Sequence, residues 1–434
     1  MLYRELLALS FLSFTAVTNV YCYKNYITDF FLFVGIIMKQ VAKFLEAIKP
    51  SATLALAAKA KELKAKGVDV ISLTVGEPDF DTPDNIKKAA SDAIISGKTK
   101  YTPIDGILEL KKAIQSRYSS RVKLGLENII VSVGAKQSLY NCFMATVEPQ
   151  DEVIIPAPYW VSYPDMVRLA KGVPVIVTAD AQDAFKVNAS KLEEYITEKT
   201  RWLILNSPNN PTGMRYSARE LEEVAALLKK YPRLGIVADD IYEDIHFADK
   251  PLSIIDVAPD LKGRIMVVNG VSKSYSMTGW RIGYCVGNEA VIRAMKIIQS
   301  QSTSNPCSIS QYAALEALTG DQTFVAKARK VFKLRRDLAI KELGCIPEMS
   351  CVEPNGAFYL FLSCKQFFNK KTPDGTIVNN DSDFCQYLLN EAKVVVVPGS
   401  AFGLNGHFRL SYAVSDDTII KAVKRIKDAC SKLV

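Results

Sequence analysis

At 434 residues the chain exceeds what one hydrophobic core normally supports, so two domains are predicted. Apolar residues at 49% and charged residues at 23% exclude a disordered or fibrous chain, and the net charge of +8, dispersed along the sequence, excludes a nucleic-acid-binding stripe while favouring anionic substrates. Nine cysteines without a Cys-x-x-Cys spacing and only two histidines exclude a disulfide framework and a zinc site, and point to a reducing compartment, the cytoplasm.

Residues 1–37 differ from the rest. Two apolar patches, 6–20 and 30–37, alternate with Tyr, Asn and a few charges, and neither is a clean membrane span. The segment is too weakly basic for a good secretory signal and too poor in arginine for a transit peptide. It reads as an extension upstream of a start at Met38, with a membrane anchor as the alternative.

From Met38 the pattern is α/β. Residues 41–66, rich in Ala, Leu and Lys, predict a helix closed by Gly67. A short strand over 70–74 runs into Val75-Gly76-Glu77-Pro78. Thr82-Pro83-Asp84 predicts a helix start, with Thr82 as cap and proline in the first turn. Another helix follows over 107–118. Strands are then predicted at 129–133, 152–156, 201–205, 234–238, 264–268 and 282–286, with helices opening at Ala135, Val161 and Ser217. These strands are apolar throughout, which suggests a mostly parallel sheet buried on both faces. After Asp321 a long charged helix to about 343 leads into short strands at 358–362, 394–397 and 408–411. The expected organisation is a large domain over 85–320 and a smaller α+β domain over 321–434, joined by the N-terminal segment 38–84. Residues 369–383 are expected to form a surface loop.

The polar residues fall where strands end, and ligands of open α/β sheets bind beyond the carboxyl ends of strands. Gly134-Ala135-Lys136 follows the first of these strands, and Asn206 through Gly213 follows 201–205. Asp239-Asp240-Ile241-Tyr242 follows 234–238, and Ser272-Lys273 follows 264–268, with Arg281 eight residues beyond the lysine. A lysine in an environment that lowers its pKa can form a Schiff base with an aldehyde. An arginine one loop away can hold a phosphate attached to that aldehyde. These are the two functional ends of pyridoxal 5′-phosphate (PLP).

The remaining groups match what that cofactor needs. A buried carboxylate keeps its ring nitrogen protonated, and Asp239 is the candidate. Asn210 and Tyr242 can donate to its ring oxygen. The phosphate suits the free N–H groups of Ala135 and Lys136 at a helix start, together with Arg281. Trp160, in Pro158-Tyr159-Trp160, can cover the ring face.

These stretches, with Lys49-Pro50-Ser51, Val75 to Phe80, Tyr101 with Asp105-Gly106, Asn209-Asn210-Pro211-Thr212-Gly213, Gly356-Ala357-Phe358-Tyr359 and Arg409-Leu410-Ser411-Tyr412, resemble the class I aminotransferases of PLP fold type I. Within them the chain is most similar to bacterial aspartate aminotransferases of the I-beta subgroup, over residues 38–434. The resemblance implies an α/β fold with a large, mostly parallel-sheet domain and a smaller α+β domain. It implies that Lys273 bonds the cofactor and later moves the substrate proton. It implies that Arg409, helped by the Gly76 backbone N–H, clamps the α-carboxylate, that Lys136 reads the distal carboxylate, and that Trp160 and Asn210 also contact substrate. Tyr101 resembles the tyrosine that reaches the neighbouring subunit's cofactor phosphate, which implies a homodimer with shared active sites. One departure is Gly270, where many relatives carry a phosphate-contacting serine.

The expected reaction is transfer of an amino group from L-aspartate to 2-oxoglutarate, with an aspartate/prephenate or aromatic aminotransferase as the alternative. The expected partners are amino acids and 2-oxo acids; no metal, nucleic acid or membrane partner is expected. The fold also serves PLP-binding regulators and lyases, but residues 1–37 are too short and apolar for a DNA-binding module.

Overall fold

The structure, a computed structural model, describes residues 42–48 and 52–434. The extension 1–37, the start at Met38 and the Lys49-Pro50-Ser51 motif lie outside the described residues. The chain divides into two compact units, Met1–Ile48 and Lys49–Val434. The described part of the first holds a short 3-10 helix, Lys43–Ala47. The helix expected over 41–66 is therefore two pieces, that turn and the α-helix Ala52–Ala65. Ile48, extended at φ −100° and ψ 123°, ends the first piece.

In the second unit the strands are β1 (Ile71–Ser72), β2 (Ile129–Val133), β3 (Glu152–Ala157), β4 (Val173–Thr178), β5 (Thr200–Asn206), β6 (Gly235–Asp239), β7 (Ile265–Gly270) and β8 (Ile282–Val286). They continue as β9 (Ser350–Cys351), β10 (Tyr359–Ser363), β11 (Val394–Val395), β12 (Val397–Pro398) and β13 (His407–Ser411). Seven form one sheet in the order β2-β8-β7-β6-β5-β3-β4. β3 to β7 pair in parallel, and β8 runs antiparallel to both its neighbours. The expectation of a mostly parallel sheet holds, and β8 has a physical cause. A parallel return needs a crossover of a dozen or more residues, whereas only 271–281 separate β7 from β8. That short link carries both Lys273 and Arg281, so both stand at the same edge of the sheet.

β4 was not expected from the sequence. Its run Val-Pro-Val-Ile-Val-Thr is β-branched but contains Pro174, which a sheet tolerates at an edge, and β4 is the edge strand. Alternate residues of the central strands enter two separate cores. Ile236, Ala238, Ile265 and Val267 join one, while Val237, Met266 and Val268 join the other. A sheet covered on both faces has no polar face, which explains the unbroken apolar runs.

The later strands make a four-stranded sheet, β12-β13-β10-β9, over a core that includes Phe358, Leu360, Phe408 and Leu410. β1 pairs in parallel with β11, Ile71 opposite Val394, so the segment before Gly76 is bound to the C-terminal part of the chain. The stretch 369–383 closes on itself through a bridge between Lys371 and Ile377, and its last residues already belong to the helix Asp381–Tyr387.

The helix Asp84–Ile95 begins as expected, but the Thr82 side chain does not cap it. Its hydroxyl donates to the Ser276 carbonyl at 2.7 Å and accepts from Trp280 Nε1 at 2.9 Å, tying the entering segment to the β7–β8 link. No described helix is long and apolar enough to cross a membrane.

Candidate active site

The carboxyl ends of β5, β6 and β7 open into a cavity of about 370 Å³. Of the expected site residues, Gly76, Ala135, Lys136, Trp160, Asn210, Asp239, Tyr242, Lys273, Arg281 and Arg409 all line it. Tyr101 does not; it is 93% exposed.

Asp239 ends β6 and is 4% exposed. Its Oδ2 accepts from the Tyr163 hydroxyl at 2.7 Å, while Oδ1 receives only a longer bond from the Ile241 N–H, at 3.3 Å. Burial raises its pKa to about 6, against the lowering effect of those two bonds and of Lys273. Its backbone carbonyl accepts from Asn206 Nδ2 at 2.8 Å, and Asn206 Oδ1 accepts from the Asn210 N–H at 2.8 Å. One side chain thus registers the β6 end against the loop that presents Asn210.

Lys273 lies three residues beyond β7. Its amine donates to the Gly76 carbonyl at 2.5 Å. Burial lowers its pKa to about 8; Glu77 opposes this, and Arg281 and Arg409 add to it. A fraction of this amine is therefore neutral, and nucleophilic, at physiological pH. Glu77 is anchored in turn by a hydrogen bond from the Thr278 hydroxyl.

Arg281 donates to the Thr278 carbonyl at 2.8 Å and lies against Gly134, the residue before the helix Ala135–Thr146. Gly134 has φ +78°, a backbone that favours glycine, and a Cβ there would displace the Arg281 guanidinium. A guanidinium beside a helix N-terminus makes a dianion site. At Gly270 a Cβ would press on the Ile282 carbonyl at 2.9 Å, so β8 leaves little room for the serine of the relatives.

Arg409 sits mid-strand in β13 and is 2% exposed. It donates to Asn210 Oδ1 at 2.8 Å and to the Thr74 carbonyl at 2.5 Å, and the faces of Tyr359 and Phe402 lie 4.5 and 4.9 Å from its guanidinium carbon. Among the described residues its Nε has no hydrogen-bond partner. Among the described residues no carboxylate pairs with it, and burial lowers its pKa. A buried guanidinium without a counter-ion is an anion site held ready.

Lys136 places its ammonium 4.8 Å from the Trp160 ring centroid. Desolvation, with Arg281 nearby, lowers its pKa. Tyr242 shares a 2.7 Å hydrogen bond with the Tyr359 hydroxyl.

Sequence reasoning missed Tyr163 and Tyr359 as parts of this site, and placed Asn206 at a strand end without giving it a role. Asn206 had a usable signal, since it stands at a strand end four residues before Asn210. Tyr163 and Tyr359 had none, because local sequence cannot show which distant side chain a tyrosine hydroxyl reaches.

A mostly parallel sheet with a lysine of lowered pKa and a buried aspartate at its strand ends, facing an arginine of the second sheet that no carboxylate pairs among the described residues, defines an enzyme that handles amino and carboxylate groups. The sequence model of the family "aminotransferase class I and II" matches residues 68–426, and the chain belongs to that family. Among its relatives is a protein of Rickettsia bellii named as a probable aspartate/prephenate aminotransferase, 54% identical over 399 residues, covering 91% of this chain and 100% of that protein. The crystal structure of the aspartate aminotransferase from Rhizobium meliloti matches with a TM-score of 0.88 and 46% identity, over 91% of this chain and 100% of that one. The aspartate aminotransferase of Thermus thermophilus solved with maleate matches with a TM-score of 0.85 and 41% identity, over 90% and 100%. The chain is an aminotransferase of fold type I.

Proposed function

We propose that this aminotransferase uses PLP to exchange an amino group between L-aspartate and 2-oxoglutarate, giving oxaloacetate and L-glutamate. The observation that carries this is the buried, unpaired Arg409 in the same cavity as the Lys273 amine and the Asp239 carboxylate. The residues fit the cofactor. Asp239 keeps Oδ1 weakly bonded and available to a pyridinium N–H. The Gly134–Arg281 contact and the start of the helix at Ala135 make a seat for a phosphate. Bound there, PLP supplies a carbonyl for amines and an electron sink for the substrate's Cα.

The chain's own groups then divide the work. Arg409, oriented by Asn210 and the Thr74 carbonyl, takes the α-carboxylate, assisted by the Gly76 N–H. Lys136, held over Trp160, takes the distal carboxylate. Trp160 covers one face of the site and excludes water. Tyr242 and Asn210 donate to the cofactor's ring oxygen. Lys273 Nζ removes and returns the proton at the substrate's Cα, a role suited to an amine whose pKa lies near 8.

The relative solved with maleate supports a dicarboxylate site, and the relative named for both aspartate and prephenate supports a second acceptor. We therefore include prephenate, itself a dicarboxylate, as a substrate. Lys136→Ala tests the reading. It should raise KM for aspartate about 10- to 100-fold, the value of one partly buried ion pair, and leave KM for an uncharged amino acid unchanged. Equal effects on both would remove Lys136 from this role. Comparing oxaloacetate, prephenate and phenylpyruvate as acceptors orders the substrates.

We also infer a homodimer. Tyr101, exposed here, would reach the phosphate of a second copy, a role that mixing Tyr101→Phe and Lys273→Ala subunits would reveal by complementation. The large 85–320 and small 321–434 domains, with 38–84 joined to the latter, are the bodies expected to close around substrate. A cytoplasmic site fits the eight described cysteines, all free thiols.

A further inference from the structure

We propose that Tyr163 is a positioning residue of this site: its hydroxyl decides which oxygen of Asp239 faces the cavity, and its ring seats Trp160. The proposal rests on the cofactor reading above.

Tyr163 opens the short helix Tyr163–Leu169 and is 1% exposed. Its hydroxyl donates to Asp239 Oδ2 at 2.7 Å, the shorter of the two bonds that carboxylate receives. A carboxylate with one oxygen held by a short, buried bond has only the other free to turn toward a ligand. The same ring meets Trp160 edge to face, with centroids 5.3 Å apart and planes at 80°. Trp160 in turn carries the Lys136 ammonium on its face at 4.8 Å. One continuous stack, Lys136–Trp160–Tyr163–Asp239, therefore joins the proposed reader of the distal carboxylate to the proposed counter-ion of the cofactor ring. Edge-to-face pairs fix orientation as well as adding contact, so the tilt of Trp160 and the aim of Asp239 are set by one side chain.

Four titratable groups face Asp239. Tyr163 comes from its helix, Lys273 from the β7–β8 link, and Asp240 and Tyr242 from the turn after β6. Among them Tyr163 is the one that hydrogen-bonds the carboxylate, and it does so to the charged form. Losing that bond leaves a buried anionic oxygen without a donor, which favours protonation.

Tyr163→Phe keeps the ring and removes the hydroxyl. In the apoprotein, carbon NMR of labelled aspartate reads the protonation midpoint of Asp239, assigned by its loss in Asp239→Asn. The expected result is an upward shift of about one pH unit, the size of one hydrogen bond to a charged group. PLP affinity at pH 8 should weaken about tenfold, and the fall in affinity on acidification should begin at higher pH. Tyr216→Phe, which removes another buried hydroxyl, should leave the midpoint in place. An unmoved midpoint in Tyr163→Phe overturns the proposal, as does an equal shift in Tyr216→Phe. A Tyr163→Phe chain that does not fold overturns it too, because the hydroxyl would then hold the fold and not the carboxylate. A wild-type apoprotein that binds no PLP would sink the cofactor reading instead, and the apoprotein midpoint would still decide the role of Tyr163.

Discussion

Asp239 and Asp240 are adjacent, equally buried, and belong to two different worlds. Asp239 points into the cavity, with one oxygen held by Tyr163 and the other weakly bonded. Asp240, though its charge also reaches Asp239, lies against an ion network around Glu243 and Arg121. There Glu243 accepts from Arg121 at 2.7 Å, from Arg117 at 3.2 Å and from Asn269 at 2.9 Å. Arg121 also forks onto Asp256 at 2.5 and 2.8 Å, and Arg117 onto Asp244 at 2.9 Å. Asp240 itself has Oδ2 without a protein donor. Burial and then the charge of Glu243 push its pKa up to about 8. The difference teaches how to tell a working buried charge from a structural one. Each of the network's two arginines pairs with carboxylates, whereas the cavity holds Arg409 with no carboxylate beside it among the described residues, and Lys273 with a lowered pKa.

That comparison can be broken in order of effect. Lys273→Ala should abolish transamination, with a loss of at least about 10³-fold in kcat, since it removes both the attachment point and the proton carrier. Its effect on stability should be opposite in sign. The folded pKa of about 8 lies below the ordinary 10.5, so burying this amine costs stability that grows as pH falls from 10.5 toward 8. The variant apoprotein should therefore melt higher than wild type below pH 8. A lower melting point would show that the amine supports the fold.

Glu243→Ala should do the reverse. It takes one carboxylate from two arginines that keep Asp244 and Asp256, leaves the Asn269 amide without its acceptor, and should cost about 1–3 kcal/mol of stability, read by denaturant unfolding. Activity per folded, cofactor-loaded molecule should stay within about threefold, because the network lies behind the cavity and contacts no ligand. Lost activity at full stability would erase the distinction drawn here.

The smallest effect is expected from Asp240→Asn. In the fold this carboxyl keeps its proton to about pH 8, while the unfolded chain loses it near 3.8. The native state thus binds the extra proton across that window, and wild-type stability falls as pH rises through it. The amide has no such proton to lose, so the variant should show a flatter stability curve between pH 4 and 8 and nearly unchanged kcat. A curve as steep as wild type would place the titration on another group.

Much of the site was legible because its residues cluster at strand ends. Lys273, Asp239 and Asn210 each follow an apolar run within about five positions, and Arg281 directly precedes one, a spacing visible without a structure. Arg409 was visible only through resemblance, because an arginine in the middle of β13 looks like any other until its strand is known to face the cavity. β4 was lost to Pro174, and the long first helix was drawn through Ile48, which is extended. Thr82 was read as a cap, since local spacing cannot show a bond to Ser276, 194 residues away.

The amino-acid order alone determined the α/β class, the two-sided burial of the sheet, and the set of residues able to grip a phosphate and an aldehyde. These depend on local periodicity and on side-chain chemistry, which a linear text preserves. The tertiary structure decided the direction of β8, the absence of a carboxylate beside Arg409 among the described residues, and the choice of Tyr163 as the partner of Asp239. Those depend on which distant groups share a dry interior, where one hydrogen bond or one missing counter-ion carries far more weight than it does in water.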